Sequence, residues 1–229
     1  MIGLLPISAF ATSASAQAGE DKAATQDSEF LRIFHLDCGR KYFTVKEIEG
    51  IIDQLAKNHY THIQLAFGND GLRFLLKDMS VTVNGTKYDK EKVKSAVQSG
   101  NKAYYNAGDV NELTQSDMDE IIKHANDKGI QVIPMFNTPY HMNALLSAME
   151  KLGMSNVRMS ITTTDENGNK STNNNYLKLV DNDTAVAFVK ALQQKYMDYF
   201  KSKGCKYYNI ATDEYAFDNI SNDVYTKFA

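Results

Sequence analysis

Short apolar segments alternate with amphipathic helical segments four times along this chain, and each long polar excursion follows an apolar segment. Segment length and the spacing of apolar residues predict buried strands for the former and helices for the stretches between them. The predicted strands are 30–37, 59–67, 130–136 and 206–211, and the predicted helices begin at Val45 or span 117–128, 143–152 and 184–203. This alternation is typical of an α/β fold with a parallel sheet, in which the loops that follow the strands share one edge.

The number of strand–helix units indicates how much of a closed fold the chain contains. A complete (β/α)8 barrel takes about 250 residues or more, and four units already use most of the 229 residues here. We therefore expect residues 29–229 to form the first half of a TIM-type (β/α)8 barrel, about four units with a parallel sheet, truncated. A half barrel leaves two sheet edges unpaired, so self-association through these open edges is also expected.

Local signals mark where two of the helices begin. Thr44 and Glu47 have the spacing of a capping box, in which each residue satisfies a free backbone donor of the other. Asp183 is placed to cap the last long helix. Both signals place a helix start directly after a loop, as the alternating pattern requires.

Two long polar segments interrupt the alternation. The insertion 68–115 contains Asn84-Gly85 between β-prone residues, which predicts a tight hairpin turn. Residues 160–176 are rich in Thr, Asn, Gly and Asp and predict an exposed loop or hairpin. Insertions of this length in a compact domain usually build a site or a lid.

The first 28 residues have the pattern of a signal peptide and linker. A short apolar run without a positively charged leader is followed by Ala14-Ser15-Ala16, which fits a small-residue cleavage site. Residues 17–28 are small and polar, and this composition indicates a linker. Export is therefore expected, and because no other apolar stretch reaches about 18 residues, no membrane span is expected.

Charge and cysteine content argue against two classes of protein. A net charge of −3 without a concentrated basic face argues against a nucleic-acid partner. Two cysteines are too few for a disulfide framework. Cys38 follows the first predicted strand and Cys205 precedes the fourth, so they lie at opposite ends of a parallel sheet and are expected to be free thiols.

Each predicted strand is followed by polar residues that can do chemistry. They are Asp37 and Arg40 after the first strand, Asn69, Asp70 and Arg73 after the second, His141 after the third, and Asp213 and Glu214 after the fourth. The carboxyl ends of parallel strands meet at one edge, where α/β folds place their active sites. Adjacent residues on an extended chain point in opposite directions. Asp213 can therefore orient a group while Glu214 exchanges a proton with a substrate.

Each of these residues also has a purely structural interpretation. Arg40 on its own is compatible with a surface salt bridge, and His141 with a loop histidine bonded to the backbone. Asp70, between Asn and Gly, has the context of a turn residue, and Arg73 is expected to be structural. The two adjacent acids are compatible with an ordinary acidic loop after a strand.

Four segments that follow the predicted strands resemble successive motifs of the family 20 glycoside hydrolases. The resemblance is to bacterial surface β-N-acetylhexosaminidases of the streptococcal and lacto-N-biosidase type, and it runs from about residue 30 to about residue 220. The segments are Leu36-Asp37-Cys38-Gly39-Arg40-Lys41-Tyr42-Phe43, Gly68-Asn69-Asp70-Gly71-Leu72-Arg73-Phe74, Asn137-Thr138-Pro139-Tyr140-His141-Met142 and Asn209-Ile210-Ala211-Thr212-Asp213-Glu214-Tyr215.

The resemblance implies exo-acting hydrolysis of terminal β-linked N-acetylhexosamine from glycans by a substrate-assisted retaining mechanism. It implies that Glu214 is the general acid and base and that Asp213 holds the acetamido group of the substrate. It also implies that Arg40 binds sugar hydroxyls and that Asp70 and His141 line or brace the pocket. No cofactor or metal is implied.

Two departures from the family pattern limit the activity that the resemblance implies for this chain. Tyr140 stands where the family has Gly, and a Tyr adopts positive φ less readily, so displacement of His141 is expected. The family also encloses the acetamido methyl with Trp, and this chain has none. Little or no turnover by the chain alone is therefore expected.

Two other functions stay open at this stage. The first is a catalytically inactive half barrel that binds glycans weakly or has only a scaffold role. The second is a metal-assisted hydrolase that uses Asp37, His141 and Asp213, which is disfavoured because no paired-ligand spacing such as H-x-x-x-H or C-x-x-C occurs.

Overall fold

The computed structural model describes residues 30–108 and 110–212. The signal peptide and linker expected over residues 1–28 lie outside the described residues. The same is true of the two adjacent carboxylates, Asp213 and Glu214. The fold and the neighbours of the other candidate residues can be described in full.

The described residues contain strands and helices in the order that the alternating pattern predicts, with additional elements inside the two long polar segments. The strands are β1 (Ile33–Leu36), β2 (His62–Asn69), β3 (Gly71–Leu72), β4 (Val81–Val83), β5 (Thr86–Tyr88), β6 (Gln131–Phe136), β7 (Arg158–Thr164) and β8 (Lys170–Leu177). The helices are α1 (Val45–Lys57), α2 (Lys90–Tyr105), α3 (Gln115–Asp127), α4 (Asn143–Lys151) and α5 (Asp183–Ser202).

The main sheet is parallel, with β2 at its centre. β1 pairs with one edge of β2 and β6 with the other, so that Leu36 and Pro134 both lie opposite Leu65. The short β3 turns back antiparallel on the end of β2. The order β1, β2, β6 follows the order of the chain, as in the wall of a barrel.

The fourth predicted strand is much shorter than expected. In place of a strand over 206–211, the described residues form a single parallel bridge between Met135 and Asn209. Asn209 donates its N–H to Pro134 O at 2.9 Å and accepts from Phe136 N at 3.1 Å. The position and direction of the prediction are confirmed, but its length was wrong.

One face of the sheet forms the hydrophobic core with the helices. Alternate residues of β2, Ile63, Leu65 and Phe67, are fully buried in one cluster with the apolar faces of α1, α3 and α5. Phe67 lies 4.9 Å from the ring of Tyr196 and 5.6 Å from that of Phe136, in tilted aromatic contacts. These contacts add to the burial of apolar surface, which is the main stabilising term for the fold.

The opposite face of the sheet carries a row of polar contacts. The Gln64 side-chain amide lies 2.8 Å from His35 Nδ1 and accepts a hydrogen bond from Asn209 Nδ2 at 3.1 Å. This row crosses from β1 to the bridge at Asn209. It ties the fourth segment to the sheet through side chains as well as through the backbone.

The insertion 68–115 contains the predicted hairpin and a helix that the sequence interpretation missed. β4 and β5 are joined at Asn84 and Gly85, which have φ of +48° and +79° as a tight hairpin turn requires. Helix α2 buries small residues between lysines, so its apolar stripe is weak in the sequence. Gly100 lets α2 approach α4 so closely that a Cβ at this position would collide with the carbonyl oxygen of Ala144.

One of the two predicted helix starts and the form of the second polar segment are confirmed, and the other helix start was wrong in its capping residue. The capping box of Thr44 and Glu47 is confirmed. Helix α5 is capped by Asn182, whose side chain accepts from Ala185 N at 3.1 Å, and not by Asp183 as predicted. The segment 160–176 is a hairpin, formed by β7 and β8.

Both cysteines are free thiols, as expected. Burial, with the nearby charge of Asp37, raises the pKa of Cys38 to about 12, and burial raises the pKa of Cys205 to about 11. Neither thiol is therefore activated as a nucleophile.

Among the described residues, no helix combines the length and the apolar character that crossing a membrane requires.

Candidate active site

The loop after β1 is shaped to present Arg40. Asp37 Oδ1 accepts hydrogen bonds from the backbone N–H groups of Gly39 and Arg40 at 3.1 and 3.0 Å. Asp37 Oδ2 accepts from Asn69 Nδ2 at 2.9 Å, which ties the loop to the end of β2. A Cβ at Gly39 would lie 2.5 Å from the backbone nitrogen of Asn69, so this close approach requires glycine.

The Arg40 guanidinium joins three separate loops. Its Nε donates to Asp70 Oδ2 at 2.9 Å, and its Nη1 lies 3.3 Å from Asp37 Oδ2. Its Nη2 lies 3.0 Å from His141 Nδ1. The Arg40 side chain is 43% exposed and that of Asp70 only 8%. The strand ends therefore converge, and the Arg40 side chain remains partly exposed to solvent.

Asp70 and His141 adopt an uncommon backbone conformation. Their φ angles are +59° and +54°, in the left-handed region that is uncommon for residues other than glycine. Asp70 N donates to His141 O at 2.6 Å, and Asp70 O accepts from Ala144 N at 2.8 Å. Such conformations cost about 1–3 kcal/mol each and cluster at functional sites. The backbone bonds between the two loops hold both residues in place.

The charges of the site keep Asp70 ionised. Burial works to raise the pKa of Asp70, but hydrogen bonds and charges from His141 and Arg40 outweigh it and hold the pKa below its ordinary value. Burial likewise works to lower the pKa of Arg40, but the hydrogen bond and charge of Asp70 outweigh it and raise the pKa. Both groups therefore remain charged at neutral pH.

His141 lies between the positive and the negative member of this pair. A guanidinium only donates, so its 3.0 Å contact with Nδ1 is a hydrogen bond when that nitrogen carries a lone pair. When Nδ1 is protonated, the ring instead pairs with Asp70 Oδ2, 3.6 Å away. Nδ1 therefore has a polar neighbour in either tautomer of the ring.

The structure distinguishes the structural from the site residues after β2. Arg73 is 8% exposed, donates to Asn111 O at 2.7 Å and lies 3.8 Å from the centre of the Tyr105 ring, so its structural role is confirmed. Asp70 does occupy a turn, but its side chain is buried against Arg40. Asp70 is therefore a turn residue whose carboxylate also pairs with Arg40, and its role in substrate binding stays a prediction.

The expected displacement of His141 by Tyr140 has a different outcome. Tyr140 is not among the residues with positive φ; His141 itself takes that conformation. His is several-fold enriched in the left-handed region compared with bulky residues. With Tyr at position 140, His141 is thus in contact with Arg40.

Helix α2 contributes two tyrosines that the sequence interpretation did not assign to the site. The Tyr105 hydroxyl donates to Gly39 O and so supports the loop of Arg40. Burial, followed by the charge of Asp70, raises the pKa of Tyr104, which is half-buried beside Arg40. Both tyrosines were missed because α2 was not predicted. Without this helix, nothing in the sequence connects them to strand ends about 35 to 65 residues earlier.

Within residues 30–108 and 110–212, no group of three or more His, Cys, Asp or Glu is arranged to hold a metal ion. Asp37 and His141 both face the Arg40 guanidinium, whose positive charge opposes a cation there. Asp213, the third member of that hypothesis, lies outside the described residues.

Solved structures similar to this chain are glycoside hydrolases. A structure of the pneumococcal virulence factor StrH, described in terms of N-glycan recognition and hydrolysis, matches 86% of this chain at 41% identity with a TM-score of 0.73. A second StrH structure, whose description names tandem family 20 catalytic modules of an exo-β-D-N-acetylglucosaminidase, matches equally well. The Vibrio harveyi exo β-N-acetylglucosaminidase, at 17% identity and a TM-score of 0.55, shares the fold.

These similarities confirm the fold class and define how much of it is present. The relatives are TIM-barrel enzymes, and the described sheet and helices match about half of that barrel. This chain spans 44% of the StrH chain. It is also 34% identical over 113 residues to lacto-N-biosidase from Bifidobacterium bifidum, of which it spans 9%.

Replacing Asp70 by Asn tests the electrostatics of the site. Because the folded-state pKa of Asp70 is lowered, its ion pair stabilises the fold above the unfolded-state pKa, about 4, and this contribution is lost as pH falls through the folded-state value. We expect Asp70→Asn to lower the free energy of unfolding by about 1–2 kcal/mol at pH 7. The difference from wild type should shrink below pH ~4, as measured by urea denaturation between pH 3 and pH 8.

A matched control is Asp89→Asn, since Asp89 is exposed and its side chain makes no capping hydrogen bond. This change should alter stability by less than about 0.5 kcal/mol. A difference between Asp70→Asn and wild type that stays constant down to pH ~3 would contradict the assigned role of Asp70.

The family comparison covers the described fold and the acidic pair together. A family model described as the catalytic domain of glycosyl hydrolase family 20 matches residues 31–227. This range includes all of the strand ends that meet at Arg40, and also Asp213 and Glu214. The chain belongs to glycosyl hydrolase family 20.

Proposed function

We propose that this chain acts in the hydrolysis of terminal β-linked N-acetylhexosamine, such as N-acetylglucosamine or N-acetylgalactosamine, from glycans. The observation that carries the proposal is the convergence of Arg40, Asp70 and His141 at one edge of a parallel sheet. Asp213 and Glu214 directly follow the segment that is bridged to β6 at Asn209. Family membership supports the same reaction.

The proposed mechanism uses the substrate as its own nucleophile. The acetamido oxygen at C2 attacks the anomeric carbon and forms a bond to it, while the bond from that carbon to the leaving oxygen breaks and Glu214 protonates the leaving oxygen. This produces an oxazolinium ion, whose N–H Asp213 holds. Glu214 then takes a proton from water, whose oxygen attacks the same carbon from the vacated face. The bond from that carbon to the acetamido oxygen breaks at the same time, which restores the acetamido group, and the configuration is retained.

The described residues bind and orient the sugar in this scheme. Arg40 has a rigid fork of donors, and its half-exposed side chain can donate to sugar hydroxyls while Nε remains bonded to Asp70. Asp70 stays ionised and fixes the plane of the fork. His141 braces the fork from the third loop.

One alternative retains binding without turnover. Within the described residues the sheet ends at the single bridge of Asn209, and Arg40 is 43% exposed. This arrangement is compatible with a catalytically inactive half barrel that binds glycans weakly or has a scaffold role. Hydrolysis that depends on Glu214 separates the two functions.

The test combines inhibitor binding with turnover by the full chain. Titration calorimetry with an oxazoline-like inhibitor derived from N-acetylglucosamine should show binding that Arg40→Ala and Asp213→Ala each weaken at least about tenfold, because each removes a charge-assisted hydrogen bond. The chain alone is expected to hydrolyse an aryl β-N-acetylglucosaminide slowly, and this slow rate should fall about 100-fold or more in Glu214→Gln, because proton transfer is lost.

The matched control for Arg40 is Arg32→Ala, since Arg32 is exposed and lies before β1. It should leave inhibitor affinity within about twofold of wild type, a difference below about 0.5 kcal/mol. Failure of the wild-type chain to bind the inhibitor would contradict the proposal. Binding without hydrolysis that depends on Glu214 would favour the alternative.

We also propose that the chain self-associates through the edges of its sheet. Among the described residues β1 pairs only with β2, and Ile33 on this edge is 44% exposed. Tyr207 beside the bridge at the other edge is 48% exposed. Unpaired edges with apolar side chains favour pairing between chains.

Sedimentation velocity over a range of concentrations tests this self-association. We expect a dimer or larger species, and Ile33→Lys should weaken it because a charge on an edge strand disfavours pairing. Thr82→Lys, on the separate hairpin of β4 and β5, is the control. A monomer at every concentration would contradict the proposal.

The site of action follows from the N-terminal residues and the proposed substrate. We propose that the protein is exported and acts on glycans outside the cell, because Ala14-Ser15-Ala16 fits a signal-peptide cleavage site. The mass of the protein recovered from its host should then lack the first ~16 residues. An intact N-terminus would contradict export by this route.

A further inference from the structure

The hairpin of β7 and β8 lies directly against the loop that carries His141. Leu177 N donates to Pro139 O at 2.8 Å, and Met142 N donates to Asn175 O at 3.3 Å. These bonds lie on either side of the dipeptide Tyr140-His141. The base of β8 therefore holds the backbone of this loop as a neighbouring strand would.

Three rings stack between the hairpin and the site. The rings of Tyr176 and Tyr140 are 4.1 Å apart with an interplanar angle of 8°. The rings of Tyr140 and His141 are 3.7 Å apart at 33°. Tyr140 is only 9% exposed and has the rings of both Tyr176 and His141 in close contact. Its neighbours thus determine its position, and its position limits where the imidazole can lie.

Asn173 fixes the outer end of Tyr140. Its Nδ2 donates to the Tyr140 hydroxyl at 2.7 Å, and its Oδ1 accepts from Asn175 N at 3.0 Å. A backbone N–H can only donate, so the orientation of the Asn173 amide is determined and its NH2 group must face the hydroxyl. The hairpin thereby holds Tyr140 by a directional contact in addition to the stack.

The hairpin is itself anchored to α4 by Arg158. Arg158 Nε donates to Glu150 Oε1 and Nη2 donates to Ser147 Oγ, both at 2.7 Å, and Nη1 donates to Asn174 O at 3.2 Å. An isolated two-stranded hairpin is only marginally stable in water. The anchor on α4 lets a largely polar hairpin act as a rigid support.

We propose that Tyr140, Tyr176 and Asn173 are positioning residues that hold the His141 imidazole against Arg40 and Asp70. Arg40 and Asp70 contact His141 from the loops of β1 and β2, and the ring stack supports it from the hairpin. His141 also takes a positive φ, a backbone conformation that persists where the surrounding structure holds it. The inserted hairpin thus becomes part of the sugar-binding site, a conclusion that rests on the proposed function.

The test replaces Tyr176 in the full chain and observes His141 directly. Tyr176→Leu removes the outer ring, so we expect the imidazole C–H resonances of His141 to shift and broaden in NMR spectra. Affinity for the oxazoline-like inhibitor should fall about tenfold, because an aromatic pair contributes on this scale. Tyr176→Phe keeps the ring and should leave both measurements as in wild type.

The matched control is Thr163→Leu, which changes an exposed residue of β7 away from the stack. It should leave the His141 resonances and the affinity unchanged. Asn173→Ala removes the bond to Tyr140 without removing a ring, and it should shift the same resonances by a smaller amount. This variant keeps the test decisive if Tyr176→Leu unfolds the hairpin.

The outcomes separate this inference from the proposed function. His141 resonances that do not move in Tyr176→Leu would overturn the positioning role. If Tyr176→Leu unfolds the hairpin, His141 resonances that do not move in Asn173→Ala would overturn it. A wild-type chain that fails to bind the inhibitor while its His141 resonances respond as expected would overturn the proposed function and leave the positioning role supported.

Discussion

The ion pair between Arg40 and Asp70 is the interaction on which the site depends. An ionised carboxylate is costly to bury unless it is paired and hydrogen-bonded. Asp70 is 8% exposed at the end of β2 and can be buried there because Arg40 and His141 reach it from the loops of β1 and β6. The pairing therefore requires that the three strand ends converge, and it holds them together once they do.

Close backbone approaches make this convergence possible. Gly39 lets the loop after β1 lie against Asn69, and the Asp37 carboxylate bonds to both loops. Asp70 and His141 accept an uncommon backbone conformation, and a direct N–H to carbonyl bond joins them. The stability of the sheet and its aromatic core offsets the local cost of these arrangements, as is common at functional sites.

The two long insertions both support the site. Helix α2, within the first insertion, supplies Tyr105, whose hydroxyl bonds to the loop of Arg40. The hairpin of β7 and β8 supplies Tyr176, which stacks on Tyr140 and reaches His141 through it. Loops on a common barrel can vary in this way without changing the scaffold. In this chain, both insertions act on the residues that are proposed to bind the sugar.

Local patterns in the sequence were sufficient to identify the elements whose side chains repeat at a regular spacing. They predicted β1, β2 and β6, the capping box at Thr44, and the turn at Asn84. They also placed Arg40, Asp70 and His141 at one edge, because parallel strands leave no other arrangement for the loops that follow them. Helix α2 was not predicted because its buried residues are small and lie between lysines, so its apolar stripe is weak.

The contacts between distant residues were decided by the tertiary structure. No local pattern connects Tyr176 to Tyr140, or Tyr105 to Gly39, because these pairs depend on how two separate insertions pack against the sheet. The short bridge at Asn209 was likewise set by the backbone partners that β6 offers. Spacing along a chain reports which face of an element is apolar, whereas the distance between two loops depends on the packing of everything between them.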